Sequence, residues 1–201
     1  MTLDANPLLS DDFRIPFHRI RPPDIESGIR QALADAQADV DRIAADGAPP
    51  TWSNTLECLD RATERLGRRI APAGHLIAVA ETPKLREAYN AVLPEMSAFW
   101  SRLPLNQALW ARVRAFSETD EARALQGLGL RQLDKTLKEF QRAGADLPDE
   151  SRQRLEALRV ELAQLQQKFS ENVLDATASY ERLIDDEARL GGVPEAALRR
   201  A

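Results

Sequence analysis

Apolar side chains recur at three- and four-residue steps along most of this 201-residue chain, which is the spacing of one face of an α-helix. The first run predicts a helix over about 24–46, with Gly47 as its C-terminal stop. A second helix is predicted from near 51–54, and Pro72 should kink or break it before a short helical continuation over 75–80. Their inward positions are Ile25, Ile29, Leu33, Ala36, Val40 and Ile43, then Trp52, Leu56, Leu59, Leu66 and Ile70.

Two further helices are predicted after the second. Thr82 offers a hydroxyl N-cap and Pro83 suits the first helical position, so a third helix should start there. Pro94 lies inside this helix and should kink it, while Pro104 ends it. A fourth helix is predicted to begin near Asn106. Their apolar positions are Leu85, Tyr89, Val92, Met96, Phe99 and Leu103, then Leu109, Trp110, Val113 and Phe116.

The second half of the chain is predicted to hold a fifth helix and then the longest one. The fifth follows a polar break at 117–120 and runs to about Arg142, although Gly127 and Gly129 weaken its first half by about 1 kcal/mol each relative to alanine. The longest helix opens at 148–149, and its apolar residues repeat close to a heptad, which is typical of a core or interface seam. The fifth helix turns Leu125, Leu130, Leu133, Leu137 and Phe140 inward, and the seam consists of Leu155, Leu158, Leu162, Leu165, Phe169 and Val173.

Both ends of the chain depart from the helical pattern. Residues 1–23 hold four prolines and predict an extended arm that packs on a helical body over 24–201. The anchors expected for this arm are Phe13, Ile15, Phe17 and Ile20. Alternation over 179–184 predicts one short strand, and 191–194 predict a turn. The last helix starts after that turn and is only about two turns long at Ala201, so we expect a domain truncated there.

The amino-acid composition favours a helical fold, as the spacing of apolar residues does. Ala (31 residues) and Leu (27) dominate the apolar set, whereas Val and Ile together contribute 15. Strands favour β-branched and aromatic side chains, and aromatic residues make up only 5% of this chain. We therefore predict an all-α fold, a multi-helix bundle with long kinked helices.

Charge and apolar content exclude several function classes. The formal net charge is −5 and no segment is strongly basic, so no nucleic-acid partner is expected. No apolar run approaches the roughly 20 residues of a membrane span, and the N-terminus lacks the pattern of a signal peptide. A single cysteine fits a reducing compartment. We therefore predict a cytoplasmic protein without a membrane partner.

Few residues are candidates for catalysis or metal binding. A catalytic zinc site usually needs three protein ligands, but the only histidines are His18 and His75, 57 positions apart, with no second His or Cys beside either. We expect His75 to be a core histidine, His18 to be solvated and Cys58 to be a small buried apolar residue. No catalytic, cofactor-binding or metal-binding residue is predicted, because none of the common motifs, including HExxH and the P-loop, is present.

Two charge patterns have both a functional and a structural interpretation. An arginine stripe on the second helix could bind an anion, but Glu57 and Glu64 stand four residues before two of its members and favour a solvated face with helical ion pairs. The stripe consists of Arg61, Arg65, Arg68 and Arg69. Paired carboxylates occur at 11–12, 149–150 and 185–186, and none has a recognisable base or ligand partner.

A series of short segments, in order along nearly the whole chain, resembles the thimet oligopeptidase/oligopeptidase A family of zinc metallopeptidases, and the bacterial oligopeptidase A branch most closely. The segments are NPLL at 6–9, FHRIRPPDI at 17–25, TWSNTL at 51–56, PAGHL at 72–76, TPKLREAYNAVLPEMSAF at 82–99, LDKTLKEFQRAGADLP at 133–148, QKFSENVLDAT at 167–177 and LGGVPEAAL at 190–198.

This resemblance implies a mostly helical peptidase with a deep channel between two lobes, in which an HExxH helix and a downstream glutamate hold zinc. The present sequence lacks HExxH, so no catalytic or metal residue is carried over to it. What it resembles is the N-terminal helical region, which helps wall the channel and restrict substrates to short peptides. Zinc is implied for the full-length parent only, and the expected partners are the missing catalytic lobe and, in the parent, short peptides.

Two hypotheses follow from the sequence. In the first, the chain is the N-terminal domain of a zinc oligopeptidase and is inactive alone. In the second, it is a standalone, non-catalytic helical module, derived from the peptidase, that binds peptides or a protein. The first also predicts concentration-dependent dimerisation through an apolar face that the missing lobe would cover.

Overall fold

The computed structural model describes residues 6–10 and 12–199 of the chain. Within these ranges every regular element is helical, which confirms the predicted all-α class. The chain divides into two compact units, Met1–Pro148 and Asp149–Ala201. The domain division expected from the sequence was different: an arm over 1–23 and one helical domain over 24–201. That division stays a prediction.

The described residues of the first unit form six α-helices. They are α1 (Pro22–Ala45), α2 (Leu56–Val79), α3 (Pro83–Arg102), α4 (Gln107–Ser117), α5 (Asp120–Arg123) and α6 (Gly127–Ala143), with 3-10 turns at Pro7–Leu9, Phe17–Arg19 and Leu103–Leu105. The second unit contains α7 (Asp149–Ser179), a 3-10 turn at Glu187–Leu190 and α8 (Glu195–Leu198).

Helix α1 lies at the centre of the first unit. It packs against α2, α3, α4 and the turn at Pro7–Leu9. All six positions that periodicity assigned to its inner face are buried, and Ile25 and Ile29 have no exposed surface. Burying a side chain of this size contributes about 1.5–3 kcal/mol, so this face supplies a large part of the core.

The predicted cap of the third helix and the predicted start of the fourth are confirmed, and the fourth helix also has a side-chain cap. The Thr82 side chain accepts a hydrogen bond from the backbone N–H of Leu85, and the Asn106 side chain does the same for Leu109. Each cap satisfies a donor that the first helical turn leaves free. The prolines at 72 and 94 lie inside continuous helices, so the predicted break at Pro72 is not observed, and the kinks stay predictions.

The prediction of one helix from the 117–120 break to Arg142 is wrong, because the chain forms α5 and α6 there. Thr119 caps α5, and α6 starts at Gly127, whose φ of 56° lies in the left-handed region. A right-handed helix cannot continue through that conformation, which glycine adopts easily. Gly129 then brings α6 close to Trp52, whose ring atoms lie 3.8 Å from an ideal Cβ built on that glycine.

The short strand predicted over 179–184 is also wrong. Helix α7 continues to Ser179, and residues 180–186 are irregular. A strand needs a neighbouring strand to pair its backbone groups, and the described part of the chain offers none. The turn predicted over 191–194 is present at Gly191 and Gly192, with φ of 89° at the second glycine.

The residues that pack the N-terminal arm against the helices differ from those that the apolar pattern predicted. Of the four expected anchors only Ile20 is buried, whereas Phe13 is 96% exposed. Leu8, which the prediction omitted, is buried in the core instead. The chain bends at residues 13 and 14 and forms a 3-10 turn at Phe17–Arg19, so the segment that carries these anchors is not extended throughout.

A polar contact fixes the start of the described arm on α1. The side-chain amide of Asn6 donates hydrogen bonds to the carbonyl of Asp24 (2.8 Å) and to the hydroxyl of Ser27 (3.0 Å). This close approach requires Gly28, because an ideal Cβ at that position would lie 2.8 Å from the Asn6 amide nitrogen. The side-chain oxygen of Asn6 also accepts from the backbone N–H of Leu8, so one residue organises the first turn.

A buried arginine on α4 closes the C-terminal end of α1. One terminal nitrogen of Arg112 donates to the carboxylate of Asp46 at 2.7 Å, and the other donates to the backbone carbonyls of Asp46 and Ala48. The Arg112 side chain is only 7% exposed. A cation at the C-terminus of a helix also interacts favourably with the helix dipole. This contact therefore joins α1, the following turn and α4.

Replacing Arg112 should destabilise the first unit strongly. We expect Arg112→Met to lower the free energy of unfolding by about 2–4 kcal/mol, because the carbonyls at the end of α1 lose their donor and the Asp46 carboxylate loses its partner. Urea denaturation followed by circular dichroism measures the loss. The control is Arg114→Met on the same helix, whose exposed side chain pairs with Glu118 at 3.7 Å and should cost at most about 0.5 kcal/mol. Equal losses in the two variants would contradict the account.

Two helical glycines should respond differently to alanine. Gly67 has open space around its Cα, so Gly67→Ala should raise the free energy of unfolding by about 0.5–1 kcal/mol. Gly28→Ala should give less gain or a loss, since the new methyl displaces Asn6 from its hydrogen bonds with Asp24 and Ser27. Thermal and urea denaturation of both variants test this, and an equal gain would show that Asn6 does not hold the arm.

Candidate functional site

The arginine stripe of α2 is largely paired with carboxylates. Within α2, Arg61 contacts Glu57 at 2.5 Å and Arg68 lies 3.8 Å from Glu64, which confirms the predicted helical ion pairs. Sequence spacing did not indicate two further pairs across to α1, because they depend on how the helices pack. These are Arg69 with Asp35 at 2.7 Å, and Arg65 with Asp39. The stripe therefore also ties α2 to α1.

The environment of Asp35 favours its charged form. A hydrogen bond from Gln31 is the main reason that the pKa of Asp35 is lowered, and the hydrogen bond and positive charge of Arg69 and the charge of Arg65 add to it, against an opposing effect of burial. Gln31 donates at 2.8 Å. Asp35 thus acts as a permanent anion at the α1–α2 contact near neutral pH.

The first concave surface lies between the arm and α2. This arm groove has a volume of about 510 Å³ and is largely apolar, with three arginines of the stripe on one side. Its lining consists of Pro7, Leu8, Ser10, Asp12, Phe13, Ile15 and Pro16 from the arm, and Arg65, Arg68, Arg69, Ala71 and Pro72 from α2. Because Arg65 and Arg69 pair closely with carboxylates of α1 and Arg68 lies near Glu64, carboxylates largely balance the positive charge on this side of the groove.

The second concave surface lies between α2 and α6, and the charged side chains that line it are acidic rather than basic. This α2–α6 groove has a volume of about 480 Å³. Buried Leu56, Leu59 and Phe140 form its floor, with Leu103 and Pro104 beside them. Trp100 forms one wall and is 42% exposed. The polar lining residues are Asp60, Thr63 and Glu64 from α2, and Gln132, Thr136 and Glu139 from α6.

Sequence reasoning missed the α2–α6 groove. Its residues do carry a local signal, because Asp60 and Glu64 are four positions apart on α2 and so share one face. Their proximity to Glu139 and Trp100, however, depends on helix packing that periodicity does not encode.

The two histidines are both exposed, and the prediction of a core His75 is wrong. His75 is nine positions after buried Leu66, which at 100° per residue places the two on opposite faces of α2. His75 instead contacts the Phe17 ring, with 5.5 Å between ring centroids. His18 is exposed, as predicted.

Cys58 is half-buried rather than fully buried, because it lies at the edge of the core. Its thiol donates to the backbone carbonyl of Ser53 at 3.0 Å.

The acidic pairs do not assemble into a site in the described residues. Asp12 accepts a hydrogen bond from Ser10 at 2.8 Å, whereas Asp11 and the side chain of Asp149 lie outside the described part. Asp185 and Asp186 are exposed. Among the described residues no group of three His, Cys, Asp or Glu side chains could hold a metal ion.

The seam of α7 is exposed at each of its last five apolar positions. They are Leu158, Leu162, Leu165, Phe169 and Val173, with exposures from 44% to 69%. An exposed apolar row of this length marks an interaction surface. Dimerisation through it stays a prediction. None of the described helices is long and apolar enough to cross a bilayer.

Comparison with known proteins identifies the domain. The family model for the N-terminal domain of neurolysin and thimet oligopeptidase matches residues 29–152. Oligopeptidase A of Salmonella typhimurium is 37% identical over 197 residues, and that of Escherichia coli is 36% identical over the same length. Both alignments cover 98% of this chain. The organellar oligopeptidase A of Arabidopsis thaliana, described as chloroplastic/mitochondrial, is 34% identical over 98% of this chain and 25% of its own length.

Fold and sequence together define an all-helical domain of the oligopeptidase class. The chain belongs to the neurolysin/thimet oligopeptidase family, as its N-terminal domain. It spans 29% of the length of the Salmonella and Escherichia relatives. The resemblance drawn from the ordered sequence segments is thereby confirmed.

The α1–α2 ion pairs predict a measurable shift at Asp35. Gln31→Ala and Arg69→Gln should each raise the pKa of Asp35, because each removes a group that stabilises its carboxylate. Since this pKa is lower in the folded state, Asp35 contributes stability above its unfolded-state pKa and loses it as pH falls through the folded value. Carboxyl titration by NMR measures the shift. Arg68→Gln is the control, because Arg68 pairs with Glu64 instead, and an equal shift in that variant would contradict the assignment.

Proposed function

We propose that this chain is the non-catalytic N-terminal domain of a zinc-dependent oligopeptidase, where it helps wall the substrate channel and restrict cleavage to short peptides. The match of residues 29–152 to the family's N-terminal domain is the observation that carries the proposal. The exposed apolar row of α7 supports a contact surface with the rest of a longer polypeptide. A cytoplasmic location is part of the same proposal, and the single cysteine is consistent with it.

The residues of this chain do not fit the zinc ion that the family implies. The two histidines lie on the arm and on α2, and neither belongs to a group of three potential ligands in the described residues. We therefore assign no catalytic step to this chain. Its proposed contribution is steric, because packed helices such as α1 to α4 exclude folded substrates without touching the reacting bond.

Peptide hydrolysis should require the longer polypeptide. We expect the 201-residue chain with added zinc to cleave an internally quenched short peptide no faster than zinc alone, because the sequence has no HExxH motif to activate water. The full-length polypeptide encoded in the source organism should cleave it and lose activity with a chelator. Chelator-sensitive hydrolysis by this chain alone would contradict the proposal.

The proposed role of this domain as part of the channel wall, here called its wall function, is tested separately in the full-length polypeptide. Amide hydrogen exchange with and without a non-cleavable peptide should show protection within α1 to α6 if these helices line the channel. Protection confined to other parts of the polypeptide would reject the wall function. A native product of only 201 residues would instead favour a standalone binding module.

A further inference from the structure

The α2–α6 groove combines an apolar floor with an acidic rim. The floor consists of Leu56, Leu59 and Phe140, each less than 10% exposed. The rim carries three exposed carboxylates, those of Asp60 and Glu64 on α2 and Glu139 on α6. The volume of about 480 Å³ lies within the range of about 300–1,000 Å³ that is usual for ligand sites.

The rim carboxylates are available to a ligand. In the part of the chain that the structure describes, neither Asp60 nor Glu139 has a side-chain hydrogen bond or ion pair. Glu64 has one partner, Arg68, at 3.8 Å, and both of these side chains are more than half exposed. An exposed pair at that distance contributes little energy, so a better-placed cation could displace it.

Trp100 adds an aromatic surface to the same groove. It packs edge-on against Phe99, with 5.4 Å between ring centroids, yet it remains 42% exposed. An exposed indole attracts cations through its π-electron face, and tryptophan does so best among the aromatic side chains. The groove thus offers two kinds of attraction for positive charge next to an apolar floor.

This combination selects among possible ligands. A bare metal ion is a poor match, because the described His, Cys, Asp and Glu side chains include no group of three close enough to hold one. An anionic ligand would be repelled by the three carboxylates. Lysine and arginine side chains fit both features, since their hydrocarbon stems cover apolar surface while their charged heads reach polar groups.

We propose that the α2–α6 groove binds a lysine or arginine side chain of a short peptide, with its stem over Leu59 and Phe140 and its cation among Trp100, Asp60 and Glu139. An apolar residue next to the basic one would cover the rest of the floor. If the chain walls a peptidase channel as proposed above, this groove gives the enzyme a preference for basic peptides. The binding itself is measured on this chain and does not depend on hydrolysis.

The test uses three matched peptides, acetyl-Leu-Lys-Leu-amide, the same peptide with norleucine for lysine, and the same peptide with glutamate. Titration is followed by the indole N–H signal of Trp100 in nitrogen–proton NMR spectra, which Trp100→Phe assigns. The lysine peptide should shift this signal saturably, and the other two should bind at least fivefold more weakly. Its affinity should fall as ionic strength rises from about 0.01 to about 0.15 M.

Neutral variants locate the binding site. Asp60→Asn and Glu139→Gln should each weaken the lysine peptide roughly two- to fivefold, the range expected for an exposed charge pair. Asp134→Asn is the matched control, since Asp134 is exposed on α6 outside the groove. Circular dichroism checks that each variant remains folded, which is expected because all three side chains are exposed.

Several results would overturn the proposal. Equal binding of the lysine and norleucine peptides would show that the groove binds apolar side chains without selecting positive charge. Equal weakening by Asp134→Asn would show a general effect of net charge. Binding by this chain but not by the full-length polypeptide would show that another part of that polypeptide covers the groove. None of these outcomes depends on peptidase activity, so a failure here is distinguishable from a failure of the wall function.

Discussion

The burial of one face of α1 is the constraint on which the first unit depends. Helices α2, α3 and α4 and the first turn of the arm pack against this helix, and its six predicted inward residues lie in the core. Polar contacts then fix both of its ends. Asn6 hydrogen-bonds near its start, and Arg112 supplies donors to the turn after its last residue. Apolar burial therefore provides the energy, and these two side chains set where the neighbouring segments lie.

Local sequence signals predicted most of the helices because they act within a few residues. Thr82 is an example, since its cap needs only the three residues that follow it. Spacing also predicted six buried positions of α1 correctly, although it omitted Gly28 and Ala32, which are buried as well. It failed at the α5–α6 junction, because leucines continue the helical pattern through a segment in which Gly127 adopts a left-handed conformation. Periodicity records side-chain polarity but not the backbone conformation that a glycine takes.

Contacts between segments far apart in the sequence could not be predicted, because they depend on how the helices pack. Asp35 and Arg69 are 34 positions apart, and nothing in either helix alone indicates that they pair. The same holds for the α2–α6 groove, whose carboxylates Asp60 and Glu139 come from helices far apart in the sequence. The family was nevertheless recognisable, because the order of short segments along the chain does not depend on knowing these contacts.

Native-state hydrogen exchange tests most directly whether α1 organises the first unit. Amides of Ile29, Ala36 and Val40 lie in the middle of this helix, on its buried face. We predict that they exchange only through global unfolding of the unit, with a free energy at least as high as that of amides in α2 and α4. If α1 exchanged at a clearly lower free energy than those helices, the unit would be held together without it, and the account would be contradicted.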